Sequence, residues 1–202
     1  MDSKSSGDQN LSEYQDGHGL QEPLDQLALV LDHSPAMNEA TIVGLFAHYL
    51  LLNGVDPASL RIDGKPEHGD VVYCDLAFTL EGSLFKLEAK HFRRKHGATT
   101  SNAGRLLEDM MRLRLIRAQL KCECLLLHSY DPSPEECVTG AKWYEQLLGG
   151  EREFHLNAAD LNKTSAAKLK RPILDSIFNC RVSTIQATNG SRRLFLTQLL
   201  DS

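Results

Sequence analysis

The chain has 202 residues, with a hydrophobic fraction of 42%, a charged fraction of 24% and a formal net charge of −5. That balance supports a true core in one domain with appendages. The longest apolar stretch, around Ile42 to Leu52, is broken by Gly44, His48 and Tyr49, short of the ~20 residues of a bilayer span. The polar, acidic N-terminus is the opposite of a secretory signal. The five cysteines lack framework spacing and point to a reducing compartment, so the expected location is the cytoplasm, away from any membrane.

In chain order, residues 1–22 are Ser/Gly/Asp/Gln-rich and without periodicity, which predicts a flexible acidic tail. A short apolar helix follows through Leu24, Leu27, Ala28, Val30 and Leu31 and stops near Ser34-Pro35. The next helix begins after Asn38, a good N-cap, and carries Ile42, Leu45, Phe46, Tyr49 and Leu50 before Asn53-Gly54 ends it. Glu39 lies in its first turn, where a carboxylate suits the helix dipole.

A short strand passes through Leu60 and Ile62. Then Val72, Cys74, Leu76 and Phe78 alternate with Tyr73, Asp75, Ala77 and Thr79. After Glu81-Gly82-Ser83, Phe85, Leu87 and Ala89 alternate with Lys86, Glu88 and Lys90. Two period-2 runs about a tight turn predict an antiparallel hairpin. With the turn centred on Glu81-Gly82, Asp75 faces Glu88, and Lys90 projects from the same polar face. Two adjacent carboxylates repel and call for a compensating cation. Lys90 supplies part of that charge, and two carboxylates with water and phosphate oxygens are the ligand set of magnesium.

Residues 91–102 read as a basic Gly/Thr/Ser loop, and a long helix from about Ala103 to Leu120 places Leu106, Leu107, Met110, Leu113 and Ile116 at helical spacing. Cys124 to Leu127 suit a buried central strand. A helix over roughly Glu135 to Leu148 follows, ending at Gly149-Gly150. Val182, Thr184 and Gln186, with Arg193, Phe195 and Thr197, then flank Asn189-Gly190, a hairpin turn signal. Cys122-x-Cys124 has no second pair to complete a zinc site.

Charge is unevenly spread. Residues 1–35 hold seven acids and one base, while residues 86–121 hold ten bases and three acids. A local basic segment outweighs the whole-chain charge as a pointer to a polyanion. Arg93, Arg94, Lys95, Arg105 and Arg112 are its phosphate-contact candidates. The spacing of Arg105, Asp109 and Arg112 equally suits ion pairing along one helix face.

Asp75, twelve intervening residues and then Glu88-Ala89-Lys90, set on a helix–strand–hairpin–helix–strand order, resemble the PD-(D/E)XK, or restriction-endonuclease-like, nuclease superfamily over about residues 36–130. The resemblance implies an α/β fold with an αβββαβ core, a central mixed sheet and flanking helices. The residues themselves place the core over 23–150 and an α+β extension with a β-hairpin over 151–202. The resemblance implies a nuclease cleaving phosphodiester bonds with Mg2+ (or Mn2+), on DNA ahead of RNA, and a homodimer or larger complex is compatible with it. Asp75, Glu88 and the Ala89 carbonyl would hold the metal, Lys90 would assist the water, and Glu39 would be the helix-borne glutamate. Cys74 stands where that family has proline, and Asp70 is a second aspartate candidate, placed by strand parity on the opposite face. The alternative is a non-catalytic binding or assembly protein that reuses the fold.

Overall fold

The computed structural model describes residues 18–34, 37–62, 74–93, 99–138, 142–155, 179–188 and 193–200. The expected tail over 1–17, Asp70, Arg94, Lys95 and the Asn189-Gly190 turn lie outside the described residues.

Helix α1 runs from His18 to His33 and α2 from Glu39 to Leu52. The tail expected through residue 22 therefore gives way to helix at His18. Leu20 falls in register with Leu24, Leu27 and Leu31, so winding the helix back to it extends one buried stripe. Asn38 caps α2 as expected, its side chain accepting a hydrogen bond from the Thr41 N–H at 2.8 Å.

Strands β1 (Arg61–Ile62), β2 (Leu76–Leu80) and β3 (Ser83–Arg93) follow, then helix α3 (Thr99–Leu120) and strand β4 (Glu123–Asp131). The loop expected over 91–102 is shorter than its sequence suggests. Strand β3 continues to Arg93 because β4 pairs with it in parallel out to Arg93↔Asp131, and α3 already begins at Thr99. The helix expected over 135–148 divides into a short α4 (Pro134–Cys137) and a 3-10 turn at Lys142–Leu147. Val138 leaves α4 in extended conformation, and the Val-Thr-Gly sequence after Cys137 is a poor helix former.

Strands β5 (Gly150–His155), β6 (Asn179–Gln186) and β7 (Arg193–Leu200) complete one seven-stranded mixed sheet, in the order β1-β2-β3-β4-β7-β6-β5. The β3–β4 pair is parallel and every other pair antiparallel. Strands β5, β6 and β7 thus continue the central sheet, with β7 beside β4. The fold is α/β, and among the described residues no helix is long and apolar enough to cross a membrane.

Strand parity sorts the core into two clusters. Leu76, Phe78, Leu87, Ala89, Leu125 and Leu127 pack with α1 and α2, whereas Phe92, Cys124, Leu126 and Tyr130 pack with α3. On β3, Glu88 and Lys90 therefore share the α3 side with Phe92.

The hairpin register matches expectation. Leu76 pairs with Leu87 and Leu80 with Ser83, and the Asp75 N–H donates to the Leu87 carbonyl at 3.0 Å. Its two-residue turn places Glu81 at φ 51° and Gly82 at φ 81°. A type I′ turn needs positive φ at both sites, which matches the strand twist. Gly82→Ala is therefore expected to destabilise by about 1 kcal/mol, and Glu81→Asn to stabilise by a few tenths. Urea unfolding of the two variants beside the parent checks both signs.

Candidate active site

The charged cluster forms where β3, the start of α2 and the middle of α3 meet. Asp75 stands one residue before β2, and its Oδ2 accepts a hydrogen bond from the Ala89 N–H at 2.8 Å across the hairpin. By continuation of the register it faces Glu88.

Glu88 does not lie on an open polar face as the alternation suggests. It is only 2% exposed, because α3 packs over this side of the sheet. Its Oε2 accepts a hydrogen bond from Arg112 at 2.7 Å, while Oε1 is buried and has no hydrogen-bond partner among the described residues. Burial, then the Asp75 carboxylate, push the Glu88 pKa up to about 8, and the Arg112 guanidinium pulls against them.

Lys90 is also largely covered. Its Nζ lies 3.2 Å from Asp109 Oδ2 and 3.6 Å from Glu39 Oε2, and it donates to the Ala89 carbonyl at 3.1 Å. Burial alone would lower the Lys90 pKa, but Asp109 and Glu39 outweigh it and hold the ammonium above its usual value. Lys90 is a fixed cation.

Glu39 does reach the cluster from the first turn of α2. Its Oε1 lies 3.3 Å from Arg105 and 3.5 Å from the His91 N–H. Asp109 bridges Lys90 and Arg112, the latter at 2.5 Å, and burial raises its pKa. It was legible only as part of an ion-pairing trio on α3. The stronger signal was its place in the apolar stripe, three residues after Leu106 and four before Leu113, since a charge in a buried stripe demands a buried partner.

The described basic residues expected at phosphates also have partners within the chain. Arg105 and Arg112 are engaged by Glu39, Glu88 and Asp109, although half and 42% of their respective side chains remain exposed. The exposed Arg93 donates to the Met37 carbonyl and to His91 Nε2. Cys122 and Cys124 are buried free thiols with sulfurs 3.9 Å apart.

Four carboxylates (Glu39, Asp75, Glu88, Asp109) meet three cations (Lys90, Arg105, Arg112), so the fully ionised cluster is one positive charge short. An unpartnered Glu88 oxygen and a pKa raised by burial and then by the Asp75 carboxylate are what an added cation relieves. Asp75 and Glu88 with the Ala89 carbonyl are hard oxygen donors of the kind magnesium takes, with water and phosphate completing the shell. No group of three or more His, Cys, Asp and Glu arranged to hold a metal occurs among the described residues. Beside the cluster a cavity of about 440 Å³ is lined by Lys90, Arg105, Glu108, Asp109, Met111, Arg112 and Leu115. Comparison with protein-family models, curated proteins and solved structures finds no match to this chain.

Proposed function

We propose that the chain is a metal-dependent nuclease of restriction-endonuclease-like architecture, acting on DNA ahead of RNA with Mg2+ or Mn2+. The observation that carries this reading is the placing of Asp75, one residue before β2, opposite Glu88 of β3, with Lys90 on the face of Glu88 and Glu39 reaching Lys90 from α2. The order α2, β1, β2, β3, α3, β4, with an antiparallel meander and then a parallel β4, supports an αβββαβ core.

In this reading Asp75, Glu88 and the Ala89 carbonyl would hold the cation. A bound divalent ion supplies Lewis-acid stabilisation of the phosphate and acidifies a water. The remaining steps belong to the chain. Lys90, kept charged by Asp109 and Glu39, would donate a hydrogen bond that orients the attacking water, whose proton passes to bulk water. Arg105 lines the cavity and keeps half of its side chain exposed, placing a donor where a phosphate oxygen approaches.

Incubation of the full chain with plasmid, linear and single-stranded DNA, with Mg2+ or Mn2+ and with chelator, tests the reading. Cleavage that chelator abolishes is the expected result. Binding without cleavage in either metal selects the rival, a non-catalytic binding protein. That rival draws on one observation, the ion pairs that already occupy Glu88 and Lys90.

A further inference from the structure

Arg112 occupies an unusual position for a surface cation. Its guanidinium bridges Glu88 Oε2 at 2.7 Å and Asp109 Oδ1 at 2.5 Å, yet 42% of the side chain is exposed and it lines the 440 Å³ cavity. Its Nε is buried and without a hydrogen-bond partner among the described residues, and so is Oε1 of the Glu88 it clamps. The clamp is therefore incomplete on both sides, at a carboxylate that is 2% exposed.

We propose that Arg112 and a divalent cation are alternative partners of Glu88, and that the guanidinium leaves Glu88 for the cavity when the cation binds. The inference rests on the metal-dependent reading above. Two physical points support it. A guanidinium hydrogen-bonded to a carboxylate repels a divalent ion seeking the same group, at a distance where the buried setting screens little. Asp109 also supplies a pivot. Because Asp109 Oδ1 holds Arg112 while Oδ2 holds Lys90, the guanidinium keeps a buried anionic partner after it releases Glu88. The movement exchanges one ion pair for solvent and cavity without stranding a charge. Arg112 is thus a positioning residue: it steadies Glu88 until the cation arrives, and its own exposure then reports loading.

The test reads Arg112 directly. The full-length protein is treated with phenylglyoxal, with and without Mg2+ at a concentration that calorimetry shows to be saturating. Modification of the Arg112 and Arg105 peptides is followed by mass spectrometry. Release from a charge-assisted hydrogen bond is expected to speed Arg112 modification by about tenfold, with Arg105 as the unaffected reference. In Glu88→Gln, Mg2+ is expected to change neither rate. If Mg2+ binds in a Glu88-dependent way but Arg112 reacts no faster, the exchange is overturned and the nuclease reading stands. A rise of the same size in Glu88→Gln also overturns it. If neither Mg2+ nor Mn2+ binds the parent protein, both readings fall together.

Discussion

Glu88→Gln is expected to abolish Mg2+ binding and to reduce DNA cleavage by roughly 10²–10⁴-fold, while leaving the protein folded. The separation of these effects comes from the environment of the carboxylate. Glu88 is enclosed between β3 and α3, and burial together with Asp75 already pushes its pKa up to about 8. Glutamine matches the side chain in shape and brings no buried charge of its own. Its amide oxygen still accepts from Arg112, so stability should move by no more than about 1 kcal/mol. What glutamine lacks is the anionic carboxylate that a hard divalent ion seeks. Calorimetric Mg2+ titration, urea unfolding and a plasmid-cleavage time course measure the three quantities separately. A variant that unfolds, or one that cuts at the parental rate, contradicts the assignment. Lys90→Ala is the less clean partner experiment, because it removes one of the two cations that hold the buried Asp109.

Much of the hairpin was legible because its chemistry is local. The Glu81-Gly82 turn and period-2 alternation define the register without reference to the rest of the chain, and Leu76↔Leu87 follows from them. The N-cap at Asn38 was equally local. The covering of the site was not. Alternation reveals which side of β3 Glu88 takes, but not that α3 closes over that side. Its burial, and the pairing of Arg105 and Arg112 with carboxylates, depend on a contact between elements well separated in sequence. The same limit applies to β3 and β7. Residues His91 to Arg93 look loop-like until parallel β4 is beside them, and the C-terminal strands look like an appendage until β7 is placed against β4. Basic composition marks out residues 86–121, a stretch that holds most of β3 and all of α3, but a residue count does not say whether a cation faces a ligand or an internal acid.

The fold is expected to be acid-sensitive through a residue far less conspicuous than the charged cluster. His128, in the middle of β4, is fully buried. One ring nitrogen lies 2.9 Å from Tyr130 Oη and the other 2.9 Å from Thr197 Oγ1, which in turn lies 2.8 Å from Thr184 Oγ1. A neutral imidazole suits two hydroxyl partners, donating to one and accepting from the other. Protonation turns both nitrogens into donors inside a dry sheet. Burial accordingly lowers the His128 pKa to about 3, from 6.5. The folded pKa lies below the unfolded one, so the unfolded chain binds the extra proton. The contribution of His128 is fully present above pH 6.5 and is lost as the pH falls from there toward 3. Between pH 7.5 and 5 the cost from this residue should be on the order of 2 kcal/mol. Urea unfolding of the parent and of His128→Gln at these two pH values isolates it. The variant is expected to be less stable at pH 7.5, because glutamine fills the pocket less well, yet to lose about 2 kcal/mol less than the parent on acidification. Equal losses in the two proteins would mean that the acid sensitivity of the fold arises elsewhere.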